Sequence, residues 1–322
     1  MQKTNLQVLK NIAVGSAQDQ AAATGCTVII CPEGAVCGVD VRGGSPGTRD
    51  TDALNPVNNR KCVHAVLLAG GSSFGLDAAG GVMKFLEKRG IGRDVGVTVV
   101  PNVCAAILFD LKCGSAAVRP DEKMGYAACE NAFSGVPFQS GNYGAGTGAT
   151  IGKARGLAHA MKGGLGSCVL RHGELIVGAV MAVNCVGDVF DSQTGTLFAG
   201  ALDDDRRSFI GSERVILEDY RLKTDFFTGN TIIGCVITNA ALDKSQATKL
   251  ASIGQNGIAR AVRPAHSVYD GDTVFTLCTG DTDAAFDAVG ILAASAVEQA
   301  ILDAVGSAES LGGFPSLRDL KS

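Results

Sequence analysis

Four stretches carry residues whose types and spacing could do chemistry. In the first, Gly229-Asn230-Thr231 leads into the apolar, β-branched run Ile232-Ile233-Gly234-Cys235-Val236-Ile237. A threonine opening a strand is ordinary, because β-branched residues suit strands. The same arrangement also permits a reaction. Gly229 and Asn230 give a backbone able to bend and expose the Asn230 carbonyl to the Thr231 hydroxyl. Attack would move the acyl group from nitrogen to oxygen, and water would then release a free Thr231 amine. An α-amino group titrates near ~7.7, so such an amine could serve as base for its own hydroxyl.

The second stretch, Tyr269-Asp270-Gly271-Asp272-Thr273, sets two carboxylates two positions apart. In an extended segment both would point to one face. Two carboxylates that close repel, which calls for a raised pKa or a nearby cation. The competing reading is a surface turn, since Asp-Gly is a common turn pair. Apolar Val274 and Phe275 follow at once and favour partial burial of the pair.

The third stretch, Gly70-Gly71-Ser72-Ser73-Phe74-Gly75, meets the G-x-S-x-G spacing of a nucleophile elbow, with Ser73 in the nucleophile's slot. It lies between a strand and a helix, and His266 and Asp270 follow late in the chain. A helix N-cap is the plainer alternative. The fourth, Gly144 to Lys153, imitates two phosphate loops. Its G-x-G-x-x-A part follows no strand. Its GATIGKA part has Gly148 only four residues before Gly152, and Ala154 after Lys153 where a magnesium-binding Ser or Thr belongs. Nucleotide binding is set aside on those grounds.

The elements that must position these residues alternate between strand-like and helix-like runs. CTVIICP and VCGVDVRGG read as a strand pair with a short polar link, and KCVHAVLLAGG as a buried strand. SSFGLDAAGGVMKFLEKRG has apolar residues at helical spacing, with Gly90 at its C-terminal end. GVTVVP and CAAILFDL are further short strands. DEKMGYAACENAF is a helix, and SCVLRHGELIVGAVMAVN is a hairpin turning at Arg171-His172-Gly173-Glu174. A strand over NTIIGCVITNA, a helix capped by Asp243, a strand over SVYDGDTVFTLCTG and a long small-residue helix complete the chain. Strict βαβ alternation is absent, which points to packed sheets with helices outside them.

Composition narrows the class. With 46% hydrophobic and 19% charged residues in 322, the chain is globular with a large interior. A net charge of −4 without basic runs argues against a nucleic-acid partner. MQKTNLQVLKNIAVG reads as neither signal peptide nor anchor, and Glu298 interrupts the apolar run GILAASAVEQAIL. A soluble, non-membrane chain is the expectation. The 11 cysteines include no Cys-x-x-Cys and no Cys/His cluster at zinc spacing, so they read as core thiols in a reducing, cytoplasmic setting.

Read in order, eight motifs resemble one family: GTRDTDALNP, LLAGGSSFGLDAAGGVMKFLE, VPNVCAAILFDL, GTGATIGKARG, MKGGLGS, VNCVGDV, GNTIIGCVITNAALDKSQATKLA and DGDTVF. The chain is similar, over nearly its whole length, to the self-processing hydrolases of the L-aminopeptidase/D-esterase type, which include β-aminopeptidases and nylon-oligomer hydrolases. The resemblance implies an α/β (α+β) fold, a four-layer αββα sandwich like that of N-terminal-nucleophile hydrolases but with altered strand connectivity. It implies one domain over 1–322, cut at Asn230–Thr231 into chains 1–230 and 231–322. Thr231 takes the place of the nucleophile, Asn184 of an oxyanion donor, Lys153 of an active-site lysine, and Asp270 and Asp272 of two carboxylates grouped with the nucleophile. Asn230 supplies the scissile carbonyl. Removing an oxyanion donor typically costs about 10²–10³ in rate.

The implied activity is amide or peptide hydrolysis, with a small peptide or amino-acid amide as substrate, no metal or organic cofactor, and a homo-oligomer of cleaved protomers. In some relatives a Tyr hydroxyl assists the oxyanion from the segment that here reads CAAILFDL, where Leu108 or Phe109 stands instead; Tyr143 is the candidate replacement. The competing reading is an unprocessed, catalytically silent member that binds a small molecule or a partner.

Overall fold

The computed structural model describes residues 1–221 and 229–320. Its framework is ten strands: β1 (Gln2–Thr4), β2 (Ala13–Asp19), β3 (Thr24–Val41), β4 (Thr48–Arg49), β5 (Val63–Ala69), β6 (Val103–Ile107), β7 (Gly164–His172), β8 (Leu175–Asn184), β9 (Thr231–Ala240) and β10 (Thr273–Thr282). The two cysteine-rich runs expected as a strand pair are instead the single strand β3. Its N-terminal half pairs with β2 and β5, and its C-terminal half with β10. Between the halves the register against β5 shifts from Ile30 to Ala35, and Gly34 takes φ +79°, a left-handed value that glycine adopts without strain. The extra residues bend β3 out of one sheet and into the other.

One sheet therefore runs β1-β7-β8-β9-β10-β3, and the other β2-β3-β5-β6-β4. Most pairs are antiparallel; β9 with β10 and β5 with β6 are parallel. Against the outer face of the second sheet lie α1 (Ala78–Lys88) and α2 (Glu122–Phe133). Past the short α3 (Ser212–Glu218), helices α4 (Lys244–Ala261) and α5 (Phe286–Ser307) cover the first sheet.

Three apolar layers separate these four. Val177, Met181, Ile232 and Val236 meet Leu250, Ile258, Val297 and Ile301 under α4 and α5. Ile29, Val66, Leu68, Val180, Ile233, Cys235, Phe275 and Leu277 fill the space between the sheets. Val28, Ile30, Leu67 and Ala105 meet Val82, Phe85 and Ala128 under α1 and α2. Each such large side chain contributes about 1.5–3 kcal/mol on burial. The four-layer αββα sandwich is thus present, with one strand shared between its sheets.

Local signals act as the sequence suggests. Asp243 accepts the Gln246 N–H (2.8 Å) and Gln246 Oε1 accepts the Asp243 N–H (3.0 Å), a capping box on α4 worth about 1 kcal/mol. Glu298 does not shorten the apolar run as expected: α5, the long helix the pattern predicts, runs 22 residues and is long and apolar enough to cross a membrane, but it packs against α4, β7 and β8 as a core helix. Glu298 is itself buried there and accepts a hydrogen bond from Ser192. Ten of the 11 cysteines are buried, Cys62 is half-buried, and all are free thiols.

Candidate active site

Strand parity and register assemble the site. Along β9 the side chains of Ile233, Cys235 and Ile237 enter the layer between the sheets, while Ile232 and Val236 face the helices. Alternation therefore puts Thr231 at the end of the inter-sheet row. On β8, Val180 and Ala182 occupy that same layer, so Asn184 ends a second row. The β8–β9 register sets Asn184 directly opposite Thr231. Strand β10 runs parallel to β9 from Ile233↔Thr273, which draws Asp270-Gly271-Asp272 alongside Asn230-Thr231. Thr228, with which the sequence opens a polar turn into Gly229-Asn230, lies outside the described residues; Gly229 and Asn230 lie within them.

At the centre, Thr231 Oγ1 donates to the carbonyl oxygen of Asn230. The Gly271 N–H points at both groups, 3.0 Å from Asn230 O and 3.2 Å from Thr231 Oγ1. A side chain at 271 would not fit, since its Cβ would stand 2.8 Å from Thr231 Oγ1 and 3.0 Å from Ser45 O. The hydroxyl thus lies against the one peptide link it would have to attack, with a main-chain donor on the oxygen that would gain charge.

Lys153 and Asn184 act one carbonyl upstream. Lys153 Nζ donates to Gly229 O (3.0 Å), Asn184 O (2.9 Å) and Asn184 Oδ1 (3.2 Å). Asn184 Nδ2 donates to Gly229 O (2.9 Å) and, across the sandwich, to Phe109 O (3.1 Å). Its Oδ1 also accepts the Thr150 N–H at 2.9 Å. Lys153 is fully buried, and desolvation, opposed by Cys185 and Asp270, pulls its pKa down to about 7. Its three acceptors take up all three N–H bonds of the charged form. In the uncleaved chain the Asn230 carbonyl therefore accepts from the Gly271 N–H and the Thr231 hydroxyl, and Asn184 holds the neighbouring Gly229 carbonyl.

The two carboxylates are fully buried and differ sharply. Asp272 Oδ1 accepts the Ile232 N–H (2.7 Å), while Oδ2 meets the His266 N–H (3.2 Å) and His266 Nδ1 (2.8 Å). This carboxylate ties the first step of β9 to the loop before β10. Asp270 Oδ2 accepts the Ser267 N–H at 2.6 Å, but its Oδ1 is buried without a hydrogen-bond partner among the described residues. Burial and then the neighbouring Asp272 raise the Asp270 pKa above the usual carboxylate range, while the Ser267 hydrogen bonds and Lys153 pull the other way. Among the described residues no group of three or more His, Cys, Asp and Glu is arranged to hold a metal.

All five residues singled out in the sequence, with Asn230, thus come together. Three participants escaped that reading. Gly271 offers its backbone, and a glycine between two carboxylates was the available sign. His266, weighed only with the serine elbow, is the partner of Asp272. Phe109, noted as a lost tyrosine, lends its carbonyl to Asn184 and its ring to the wall beside Gly229.

The Gly70–Gly75 stretch is a structural strand-to-helix turn, the role that the family resemblance implies for it. Ser73 is exposed, and Asp110 binds the Gly71 N–H (2.7 Å) to fix the turn. Tyr143 lines a cavity of about 140 Å³ with Val14, Asn131 and Phe138, which neither Thr231 nor Asn184 lines.

Comparison with known proteins agrees with this frame. The model of peptidase family S58 matches residues 7–317. An uncharacterized aminopeptidase of Mycobacterium leprae is 42% identical over 313 residues, 91% of this chain and 85% of the relative. The 6-aminohexanoate-oligomer endohydrolase of an Agromyces species is 32% identical over 276 residues, 84% of this chain and 74% of the relative. Among solved structures, the L-aminopeptidase D-Ala-esterase/amidase of Ochrobactrum anthropi, described as a variant of the Ntn hydrolase fold, superposes with TM-score 0.71 at 20% identity. That match covers 97% of this chain and 88% of the other. A β-aminopeptidase of Burkholderia gives TM-score 0.65, also at 20% identity, over 98% and 92% of the two chains. With a match that runs from Gln7 to Leu317 and a fold shared with these enzymes, the chain belongs to peptidase family S58 and is a hydrolase of the peptidase and amidohydrolase kind.

Proposed function

We propose that this protein is a self-processing amide hydrolase that cuts its own Asn230–Thr231 bond and then uses Thr231 as an N-terminal nucleophile. The observation that carries this reading is the contact of Thr231 Oγ1 with the Asn230 carbonyl under the shared Gly271 N–H. In the first step Oγ bonds to the carbonyl carbon, and its proton passes to the nearby Asp270 carboxylate, whose buried Oδ1 has no hydrogen-bond partner among the described residues. Gly271 N–H holds the oxyanion. The C–N bond then breaks, the proton goes to the Thr231 nitrogen, and residue 230 remains as an ester on Oγ. Water adds to that ester, the C–Oγ bond breaks, and chains 1–230 and 231–322 result.

The new amine, near ~7.7 when unperturbed, then takes the Oγ proton during attack on an external amide. Lys153 and Asn184 hold the acyl chain, and Asp272 with His266 fixes the start of β9. The substrate is a small peptide or amino-acid amide. To the same reading belong an assembly of cleaved protomers and a cytoplasmic location, which the unpaired, mostly buried thiols support.

Intact mass and N-terminal sequencing of purified protein test it. Wild type should yield a fragment beginning Thr-Ile-Ile-Gly. Thr231→Ala should stay whole and lose amide hydrolysis by about 10⁴-fold or more. An uncut wild type that nevertheless hydrolyses amides would overturn the proposal.

A further inference from the structure

The uncleaved chain carries its own acyl group in the site. Migration of the Asn230 acyl group to Thr231 Oγ gives an ester of the same kind as the one formed with an external substrate. Whatever holds residues 229 and 230 therefore holds the acyl half of the first molecule the site processes. Both residues are buried. The Gly229 carbonyl receives two fully buried donors, Lys153 Nζ at 3.0 Å and Asn184 Nδ2 at 2.9 Å. Gly229 itself has φ +68°, and a Cβ added there would stand 2.1 Å from Phe109 Cγ and 2.3 Å from Phe109 Cβ. Rotating the ring cannot relieve this overlap, because the Phe109 Cβ is fixed by its backbone.

We infer that the places of Gly229 and Asn230 become the acyl subsites of the mature enzyme. It then prefers acyl donors with a second amide carbonyl one residue upstream of the bond cut and no side chain at that upstream position, and Phe109 sets the second limit. This rests on the self-processing reading above. Once residues 229 and 230 depart, Lys153 and Asn184 are buried donors that have lost an acceptor. A substrate carbonyl that replaces it is favoured over one that cannot, because a hydrogen bond involving a charged group is worth about 1.5–3 kcal/mol, or roughly 10- to 150-fold. The preferred class is thus an oligomer with an unbranched unit next to the acyl residue, rather than a single aminoacyl amide.

The test uses processed wild-type protein and three p-nitroanilides that share one acyl residue: Asn-, Gly-Asn- and Val-Asn-p-nitroanilide. kcat/KM for Gly-Asn should exceed that for Asn by about 10- to 100-fold, and Val-Asn should fall at least about 10-fold below Gly-Asn. Phe109→Gly, which removes the Cβ as well as the ring, should raise Val-Asn relative to Gly-Asn, whereas Phe109→Ala, which keeps the Cβ 2.3 Å from the added side chain, should do so less. Should the aromatic variants fail to fold, the wild-type ranking alone decides. Protein that is cut at Thr231 but takes Asn as readily as Gly-Asn, takes Val-Asn as readily as Gly-Asn, or hydrolyses none of the three overturns this inference and leaves self-cleavage standing. Protein that is never cut at Thr231 overturns the underlying reading instead.

Discussion

Two corners of this molecule are built from the same parts. At the Thr231 corner a buried lysine, Lys153, and a buried carboxylate, Asp270, accompany a glycine-bearing turn. Beneath the Gly70–Gly75 turn a second buried lysine, Lys162, and a second buried carboxylate, Asp110, do the same. Desolvation pulls Lys153 down to about 7 and Lys162 down to about 8, and it raises both carboxylates. Burial and perturbed pKa therefore do not tell the corners apart.

Hydrogen-bond bookkeeping does. Lys162 Nζ donates to three backbone carbonyls, Ala149 O (2.7 Å), Gly163 O (3.2 Å) and Gly146 O (3.3 Å). Asp110 uses both oxygens, one on the Gly71 N–H and one on Thr24 Oγ1, each at 2.7 Å. Every partner is a permanent part of the fold. Lys153 instead spends one bond on Gly229, next to the link proposed to break, and Asp270 leaves one oxygen unused. A perturbed group whose capacity is fully spent is structural. One whose partner departs, or whose lone pair is idle, is available for chemistry.

Exchanging the lysines gives the largest contrast. Lys153→Met should slow appearance of the Thr231 terminus by about 10- to 100-fold in protein that still folds, because a charged donor to the acyl chain is lost. Lys162→Met should instead reduce folded yield and melting temperature, because three buried carbonyls lose a donor and Ala149 O and Gly146 O keep only the Gly163 and Ala149 N–H groups, while the folded fraction is cut at the normal rate. Time-resolved electrophoresis beside thermal melts separates the two. Equal slowing of cleavage by both variants would erase the distinction.

A smaller effect follows from pH. A raised Asp270 pKa means that its carboxylate form, the proposed base, is lost on acidification earlier than an ordinary aspartate near ~3.9 would be. A Lys153 drawn down to about 7 loses its proton, and a donor, as pH rises past neutrality. Self-cleavage should therefore follow a bell-shaped profile. Asp270→Asn should slow cleavage and flatten its acid limb, whereas Asp110→Asn should leave the profile's shape unchanged. Rates measured on freshly refolded precursor across pH 5–9 check this.

The smallest effect is one of stability alone. Asp110→Asn should cost about 1–3 kcal/mol in denaturant unfolding, because a buried donor loses its acceptor. Asp270→Asn should cost little, since it removes a carboxylate whose burial is only half compensated. The reverse order would mean that the idle oxygen of Asp270 has been misjudged.

Much of the frame was legible in the chain. The hairpin at Arg171–Glu174, the Asp243 cap and the strand from Thr231 all stand where local pattern put them. The error over β3 has a local cause: Pro32-Glu33-Gly34 looks like a turn, and only pairing with strands of both sheets keeps it extended. Two carboxylates in the same tripeptide looked equivalent in sequence, yet one is saturated by His266 and Ile232 and the other is not.

The sequence by itself determined the alternation that aims Thr231 and Asn184 into one layer, the glycine that lets the backbone turn at 229, and the supply of buried charge. Only the tertiary structure decided which carbonyl each donor holds. Lys153 reaches Gly229 across 76 residues of chain and Asn184 reaches it across 45. The packing of strands and loops from distant parts of the chain fixes such meetings. Residue type states that a group can donate a hydrogen bond, and the packed sheets alone determine which acceptor stands within reach.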